Sequence, residues 1–313
     1  MNAVAQAFLQ GTEVWVPDGD VLRLHSGAYR GSSEFARVSA IKSFRIGEGL
    51  PGSVWGTQAP QVWTELKTHF VRQELAQLSG IEAAVGFPIF KGDELSAVVV
   101  LLCGNRSTTG GCVEIWEANH DLRLLDHVGG YYGNLERFGA MSKLLQFQMG
   151  AGLPGIAWER GVPQLVEDEG RSTAFVRGSI AREYGIEGGM AIPIFRKKQL
   201  NHVLVLLSTH QTPIARAFEV WVPTPSREGL VLQNSAYTAG LDSFETASKG
   251  LELKKGQGLP GSVLQTGLPA VFDHLRGPRF VREDAAREVG LEVGIGIPVM
   301  DGENVRAVAC LLS

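Results

Sequence analysis

The chain has 313 residues, of which 44% are hydrophobic and 20% charged, with a formal net charge of −4. This near balance gives no electrostatic reason to expect nucleic acid or an anionic membrane as a partner. The longest apolar run, from Ala97 to Cys103, is far shorter than the roughly 20 residues that a membrane-spanning helix needs.

One passage recurs three times along the chain. The string Gly-x-Gly-Leu-Pro-Gly begins at Gly47, Gly150 and Gly256, so the spacings are 150 − 47 = 103 and 256 − 150 = 106 residues. A period this long exceeds the roughly 20–50 residues of a solenoid repeat and suits a small complete domain. The spacing predicts three copies of one domain, which we call unit 1 (residues 1–103), unit 2 (112–208) and unit 3 (217–313).

Each unit opens with a strand that carries a tryptophan, followed by a turn and a second strand that ends near a tyrosine. In unit 1 these are Glu13-Val14-Trp15, Asp18-Gly19-Asp20 and Tyr29, a pattern typical of a hairpin. A variable segment and a short strand (43–46) lead to the glycine string, after which Gly56 and Pro60 end a brief helix.

A further strand follows at 61–63, and then a helix. Its apolar Val71, Leu75 and Leu78 are spaced i, i+4 and i+7, which predicts a buried face, and Gly80 is placed to end it. Two last strands, 83–90 and 95–102, close the unit. Six mostly hairpin-connected strands with helices between the third and fifth predict an α+β fold with an antiparallel sheet.

The glycine string is also the literal Gly-x-Gly-x-x-Gly pattern of dinucleotide-binding folds, with Glu65, Asp168 or Asp273 near the expected ribose-binding position. However, the helix from Ser53 to Ala59 is too short for a parallel crossover. Pro51 also removes a backbone donor that a pyrophosphate would need. We therefore interpret these glycines as permitting a tight strand-to-helix turn.

The glycine-proline string, the later Phe-Val-Arg segment and the closing Ile-Glu with an apolar Pro-containing strand together resemble the GAF domain family. The resemblance covers nearly the whole chain as three tandem units. It implies a six-stranded antiparallel sheet with short helices packed on it, and a small-molecule pocket beneath the segments between the third and fifth strands. It does not extend to an output domain, and it leaves any cofactor unknown.

The Phe-Val-Arg segments supply the first candidate ligand-binding residues. Each arginine lies at a helix start, where the helix dipole disfavours a cation, so an anionic group should compensate its charge. A structural ion pair, for instance with Asp284 in unit 3, and a bound ligand are the two alternatives. The glutamates at 82, 187 and 292 lie about 15 Å further along a helix, so we do not expect them to pair within their own unit, but they could pair with the arginine of another. The candidates are Phe70, Arg72, Phe175, Arg177, Phe280 and Arg282.

Tryptophans on the short helix are the second set of candidates, because they would roof a pocket. Trp55 and Trp158 could stack on a planar ligand or fill the core, whereas unit 3 has Leu264 at this position. We expect Trp15, Trp116 and Trp221 to anchor the sheets.

Metal and nucleophile signals are weak. The seven histidines show no metal-ligand spacing, and no Ser-His-Asp or Cys-His arrangement repeats, so we predict neither a metal nor a catalytic residue. Three cysteines are too few for a disulfide framework and suit a reducing compartment. The N-terminus has no basic region before an apolar stretch, so we expect a cytoplasmic protein. The cysteines are Cys103, Cys112 and Cys310.

These observations predict a non-enzymatic sensory or regulatory protein of signal transduction, which binds a small molecule or a signalling partner protein. One alternative is an interaction scaffold whose pockets are filled by side chains. Another is a redox enzyme of the methionine sulfoxide reductase branch, which would need clustered cysteines. We expect no nucleic acid or membrane partner, and the sequence leaves a homodimer open.

Overall fold

The computed structural model describes residues 7–64, 66, 70–166, 177–277 and 279–313. In unit 1 the described elements are β1 Leu9–Asp18, β2 Val21–Tyr29, α1 Ser33–Ala40, β3 Ser43–Phe44, α2 Gly49–Thr57, β4 Gln61–Trp63, α3 Gln73–Leu78, β5 Ala83–Lys91 and β6 Glu94–Cys103.

Units 2 and 3 repeat this order of elements. Unit 2 contains β7 Gly110–Asn119, β8 Leu124–Gly133, α4 Glu136–Ser142, β9 Gln146–Gln148, α5 Gly152–Arg160, β10 Gln164–Val166, α6 Gly178–Glu183, β11 Ile186–Arg196 and β12 Gln199–Thr209. Unit 3 contains β13 Ala217–Pro223, β14 Gly229–Tyr237, α7 Asp242–Ser248, β15 Glu252–Lys254, α8 Gly258–Thr266, β16 Ala270–Phe272, α9 Glu283–Val289, β17 Gly294–Asp301 and β18 Asn304–Leu312.

Each unit forms one six-stranded sheet. Numbered within a unit, the strands lie side by side in the order 3-2-1-6-5-4 in all three sheets. The neighbouring strands pair antiparallel, including the hairpin that pairs Gly11 with Tyr29 and its counterpart that pairs Ala217 with Tyr237. The predicted α+β class and the sheet that the GAF resemblance implies are confirmed.

The glycine string makes the tight turn that we predicted. Gly47 N–H donates to Gly52 O over 2.8 Å, and a Cβ at position 52 would lie 1.9 Å from Arg45 O. The corresponding distances at Gly155 and Gly261 are 2.1 and 2.2 Å. The third glycine of each string is therefore required by close backbone contact within the turn.

One helix was not predicted, and one prediction about a helix was wrong. The variable segment after β2 is helical, because Ser32 caps α1 by accepting a hydrogen bond from Phe35 N–H over 3.3 Å. The predicted apolar face of α3 is also incorrect: Leu78 is 84% exposed, while Ala76 is the buried residue of this helix. The helix has only six residues, so spacing over two turns does not define its buried face.

The central strands of each sheet are buried on both faces. Along β6, successive residues alternate between two apolar clusters, one beneath the helices and one at the centre of the molecule. The helix side receives Val98, Val100 and Leu102, and the centre receives Ala97, Val99 and Leu101. This explains the continuous apolar run of this strand, since a strand covered on both sides has no polar face.

The central cluster joins the three units. Strands β5, β11 and β17 contact one another there, and the fourth strand of each unit lies against the second strand of another: β4 on β8, β10 on β14 and β16 on β2. At the last of these contacts Val271 N–H donates to Ser26 Oγ over 3.1 Å. The contacts therefore close a ring of three units around one shared core.

The hairpin turns before the last strand of each unit meet at one end of this core. Gly92 N–H donates to Gly302 O, and Lys197 N–H donates to Gly92 O, each over 2.9 Å. Asp93 adds ion pairs to Arg196 over 2.6 Å and to Lys197 over 2.8 Å. These contacts fix the relative positions of the three sheets.

Candidate functional site

A buried ion pair lies beneath the helices of unit 1. The Arg72 guanidinium contacts both carboxylate oxygens of Glu13, with Nη2 to Oε2 at 2.9 Å, and Nη1 also donates to Ser39 Oγ. Trp15 Nε1 and Tyr29 OH each donate to the same carboxylate over 2.9 Å. The two charged side chains are 1% and 0% exposed.

Units 2 and 3 contain the same ion pair. Arg177 Nη1 lies 2.5 Å from Glu114 Oε1 and 2.5 Å from Ser142 Oγ. In unit 3, Arg282 Nη2 donates to Glu219 Oε2 over 2.9 Å, and Nη1 donates to Ser248 Oγ over 2.6 Å. The ion pair thus links three elements in each unit. They are the first strand, which carries the glutamate, the first helix, which carries the serine, and the last helix, which the arginine directly precedes.

The Glu13 carboxyl is kept in its charged form by its neighbours. Burial raises the pKa of the Glu13 carboxyl, but the adjacent Arg72 guanidinium and the hydrogen bonds outweigh it, so the pKa lies below its usual value. Burial and the Glu13 charge both raise the pKa of Tyr29, which therefore remains a hydrogen-bond donor. The Arg72 guanidinium also lies over the Phe35 ring, 4.6 Å from its centroid.

The structure identifies the anionic group that compensates each arginine. It is the glutamate of strand 1 in the same unit, not Asp284, which pairs with Arg287. The alternative that the later glutamates pair with arginines of other units is also wrong for Glu82, which accepts from Asn105 Nδ2 over 2.6 Å. A ligand role for these arginines remains a prediction.

The predicted phenylalanines lie beside this ion pair. Phe70 is buried, and its ring centroid is 5.0 Å from the Arg72 guanidinium carbon. Phe280 is also buried and stacks on Phe244 with centroids 6.4 Å apart. Phe175 lies outside the described residues.

The predicted roof tryptophans pack into the interiors of their units. Trp55 on α2 is half-buried against the cluster beneath the helices of unit 1. Trp158 on α5 is buried and makes an edge contact with His120, with ring centroids 5.6 Å apart. Each indole is thus in contact with protein side chains, as core packing requires.

In unit 3 a cavity lies beside the predicted residues Phe280 and Arg282. It has a volume of about 460 Å³ and is lined by Phe280, Arg282, Ala247 and Leu251, among others. In unit 1 the corresponding interior is filled by buried apolar side chains, including Phe35, Phe44 and Leu50.

Sequence reasoning missed the strand-1 glutamates Glu13, Glu114 and Glu219, although each belongs to the repeated Glu-x-Trp segment. From the sequence, that segment predicted a tryptophan that anchors the sheet, and no partner for the glutamate. The signal was present in the repeat itself: glutamate and arginine each recur in all three units, and a recurrent charge at an apolar strand position needs a recurrent partner.

Several other site types can be assessed over the described residues. No group of three or more His, Cys, Asp or Glu side chains there could hold a metal ion. No described helix is long and apolar enough to cross a membrane. All three cysteines are buried, and burial raises the pKa of the Cys103 and Cys310 thiols.

No protein-family model matches the chain, and no curated protein does. Among solved structures, a GAF domain from A. aeolicus in an inactive state is 21% identical, with a TM-score of 0.26 over 31% of this chain and 58% of that one. The free methionine-R-sulfoxide reductase from Neisseria meningitidis, in complex with its substrate, is 17% identical, with a TM-score of 0.25 over 32% of this chain and 53% of that one.

A GAF domain/HD domain protein from Geobacter sulfurreducens is 12% identical, with a TM-score of 0.28 over 33% of this chain and 65% of that one. The chain therefore spans less than two thirds of each of these proteins, and each match has about the length of one unit.

Proposed function

We propose that this protein is a non-enzymatic regulatory protein that acts through protein association, as an interaction scaffold of three GAF-like units. The observation that carries the proposal is the buried ion pair in each unit. Arg72, Arg177 and Arg282 each bind a glutamate and a serine of their own unit. The guanidinium groups that a ligand would use are therefore engaged by the protein itself.

The filled interior of unit 1 supports the same conclusion. Beneath its helices, aromatic and aliphatic side chains occupy the volume where a GAF ligand would bind, and Phe35, Phe44 and Leu50 are almost completely buried. A ligand would have to displace well-packed side chains, which costs several kcal/mol when whole residues lose their contacts.

Exposed apolar side chains on the helical layer give the scaffold a surface for association. Ile41, just after α1, is 74% exposed, and Leu144, just after α4, is 86% exposed. They occupy equivalent positions, each two residues after the serine that binds the arginine, whereas unit 3 has Gly250 there. We therefore take Ile41 and Leu144 as the points at which units 1 and 2 would contact a partner protein, since unit 3 has no apolar residue at this position.

The test is affinity purification of the full chain from its own cells, followed by identification of bound proteins. The double variant Ile41→Ser/Leu144→Ser should lose a partner that the wild type retains. Leu122→Ser is the matched control, because Leu122 is also exposed, at 64%, but lies in the β7–β8 turn. Partners that survive the double variant, or are lost equally in the control, would contradict the proposal.

A second candidate function is small-molecule sensing in unit 3, favoured by its cavity of about 460 Å³ beside Phe280 and Arg282. This size lies within the range of ordinary ligand pockets. Methyl NMR on the full chain tests it: a metabolite that binds there shifts the Ala247 and Leu251 methyl signals. If no compound of a broad panel moves these signals, unit 3 is a scaffold unit like the others.

A further inference from the structure

A second cavity lies between units 2 and 3 and shares no lining residue with the cavity beside Phe280 and Arg282. Its volume is about 380 Å³. We call it the seam cavity. Its lining residues include Glu187, His210, Arg216, Phe218, Tyr237 and Thr238.

Backbone hydrogen bonds establish which residues are equivalent at the three seams of the ring. Arg30 N–H donates to Gln10 O over 2.8 Å in unit 1, and Thr238 N–H donates to Arg216 O over 2.9 Å at the start of unit 3. Thr238 therefore occupies the position of Arg30. The repeated Ile-Glu segment likewise makes Glu82, Glu187 and Glu292 equivalent.

The other two seams are closed by the chain itself. Between units 3 and 1, Arg30 Nη2 donates to Ser313 Oγ over 2.9 Å, and the Arg30 charge interacts with Glu292. Between units 1 and 2, the linker covers the glutamate, because both Asn105 Nδ2 and Arg106 N–H donate to Glu82, over 2.6 and 2.9 Å.

The seam between units 2 and 3 lacks both closures. Thr238 is too short to reach across as Arg30 does. Glu187 accepts from the exposed His210 ring over 3.1 Å. Arg216 Nη1 donates to Val289 O over 2.8 Å and to Gly290 O over 3.2 Å. Within the described part of the chain, Arg216 and Glu187 form no ion pair with each other. The cavity thus has an anion and a cation that are not paired with one another.

Apolar and aromatic side chains form one part of the remaining lining. Ser208 and Thr209 also line the cavity, but Ser208 Oγ accepts from Ile214 N–H over 2.9 Å and Thr209 Oγ1 donates to Gly110 O over 3.0 Å. Phe218 is buried and Tyr237 half-buried, and the Tyr237 hydroxyl donates to Glu219 over 2.9 Å. Tyr237 therefore offers ring surface to the cavity. A cation, an anion and an apolar wall around one cavity suit a small molecule that carries both charges and an apolar group.

We propose that the seam cavity binds a free α-amino acid with an apolar side chain, its carboxylate at Arg216, its ammonium at Glu187 and its side chain against Phe218. This inference goes beyond the proposed scaffold function and does not depend on it. The scaffold depends on Ile41 and Leu144, which do not line the cavity.

The test is isothermal titration of the full chain with L-leucine, L-valine and L-phenylalanine. Thr238→Arg restores the residue that closes the equivalent seam, so it should reduce affinity at least about tenfold, as expected when a charge-assisted hydrogen bond is lost. Thr246→Arg is the matched control on exposed α7 and should leave affinity within about twofold. Unaltered melting temperatures verify that both variants are folded.

Ligand analogues provide a second measurement that needs no variant. L-leucinamide lacks the carboxylate and 4-methylpentanoate lacks the ammonium, so each should bind at least about tenfold more weakly than L-leucine. Absence of binding by all three amino acids, or equal binding to wild type and Thr238→Arg, would overturn the proposal. Loss of the partner protein in Ile41→Ser/Leu144→Ser would leave it untouched.

Discussion

The buried ion pair of unit 1 provides the most direct test of how the chain uses its repeated arginine. Replacing Arg72 by methionine keeps the side-chain length but leaves the Glu13 carboxylate, which is 0% exposed, without its counter-ion. Removing one partner of a buried pair costs about 3–5 kcal/mol. That is a large fraction of the roughly 5–15 kcal/mol by which a protein is ordinarily stable.

A double variant separates the charge from the packing. In Glu13→Gln/Arg72→Met the buried charge is absent, while the amide oxygen at position 13 can still accept the 2.9 Å hydrogen bonds from Trp15 Nε1 and Tyr29 OH. We expect it to recover most of the lost stability, to within about 2 kcal/mol of the wild type, since neutral replacements of buried pairs are often tolerated.

The assay is urea unfolding followed by tryptophan fluorescence, with Arg37→Met as the control. Arg37 pairs with Glu34 on the exposed face of α1, where solvent screens the charges, so its loss should destabilise the protein far less than the loss of Arg72. If Arg72→Met is as stable as Arg37→Met, the arginine does not anchor the fold and is retained for a ligand.

The pKa of Glu13 adds a pH dependence of known sign. Because its folded-state pKa is lowered, the stabilisation is present above the ordinary carboxyl pKa of 4.5 and is lost as the pH falls towards the lower folded value. The double variant should lack this contribution.

Three further predictions concern other parts of the chain. Burial lowers the pKa of His202 from 6.5 to about 4, so between these values the imidazole is neutral in the folded protein and protonated in the unfolded chain. The free energy of unfolding should therefore fall by about 2 kcal/mol between pH 7 and pH 5, and the nearby exposed Glu117 should offset little of this loss. Urea unfolding at both pH values measures this, and His202→Gln should abolish the His202 contribution; an unchanged pH dependence would contradict the assignment. Gly155→Ala places a Cβ 2.1 Å from Gln148 O and should lower the melting temperature clearly, whereas Gly188→Ala meets no atom within 4 Å; equal melting temperatures would refute the turn argument. Cys103, Cys112 and Cys310 are all buried, so a thiol reagent should modify them in the native protein no faster than the protein unfolds. Rapid labelling of the native protein would support the redox alternative instead.

The fold was predictable because three copies of one pattern constrain one another. Turn signals such as Asp18-Gly19 and helix ends such as Gly80 recur at corresponding places, so the strand order of one unit supports that of the next. Helix α1 escaped prediction because only a phenylalanine and a serine four residues apart recur in it among the units, as in Phe35 and Ser39, which is too little to define a helical period. The face of α3 escaped prediction because six residues are too few to define a period.

The shared core was not predicted, although the sequence contained its signal. Strand β6 is a continuous apolar run rather than an alternating one, and such a run indicates a strand covered on both faces. The partner that covers the second face belongs to other units, and single-chain periodicity carries no information about it.

The ion pair shows how recurrence should be interpreted in a repeated chain. Residues that appear in all three units, such as the glycine string and the glutamate–arginine pair, meet needs that every copy of the fold shares, which here are a tight turn and a neutralised buried charge. Features of one or two units meet no such common need. Ile41 and Leu144 without a counterpart in unit 3, and Thr238 in place of Arg30, are of this second kind. In this chain the strict repeats therefore explain the stability of the fold, and the differences between units are the places where its function is to be sought.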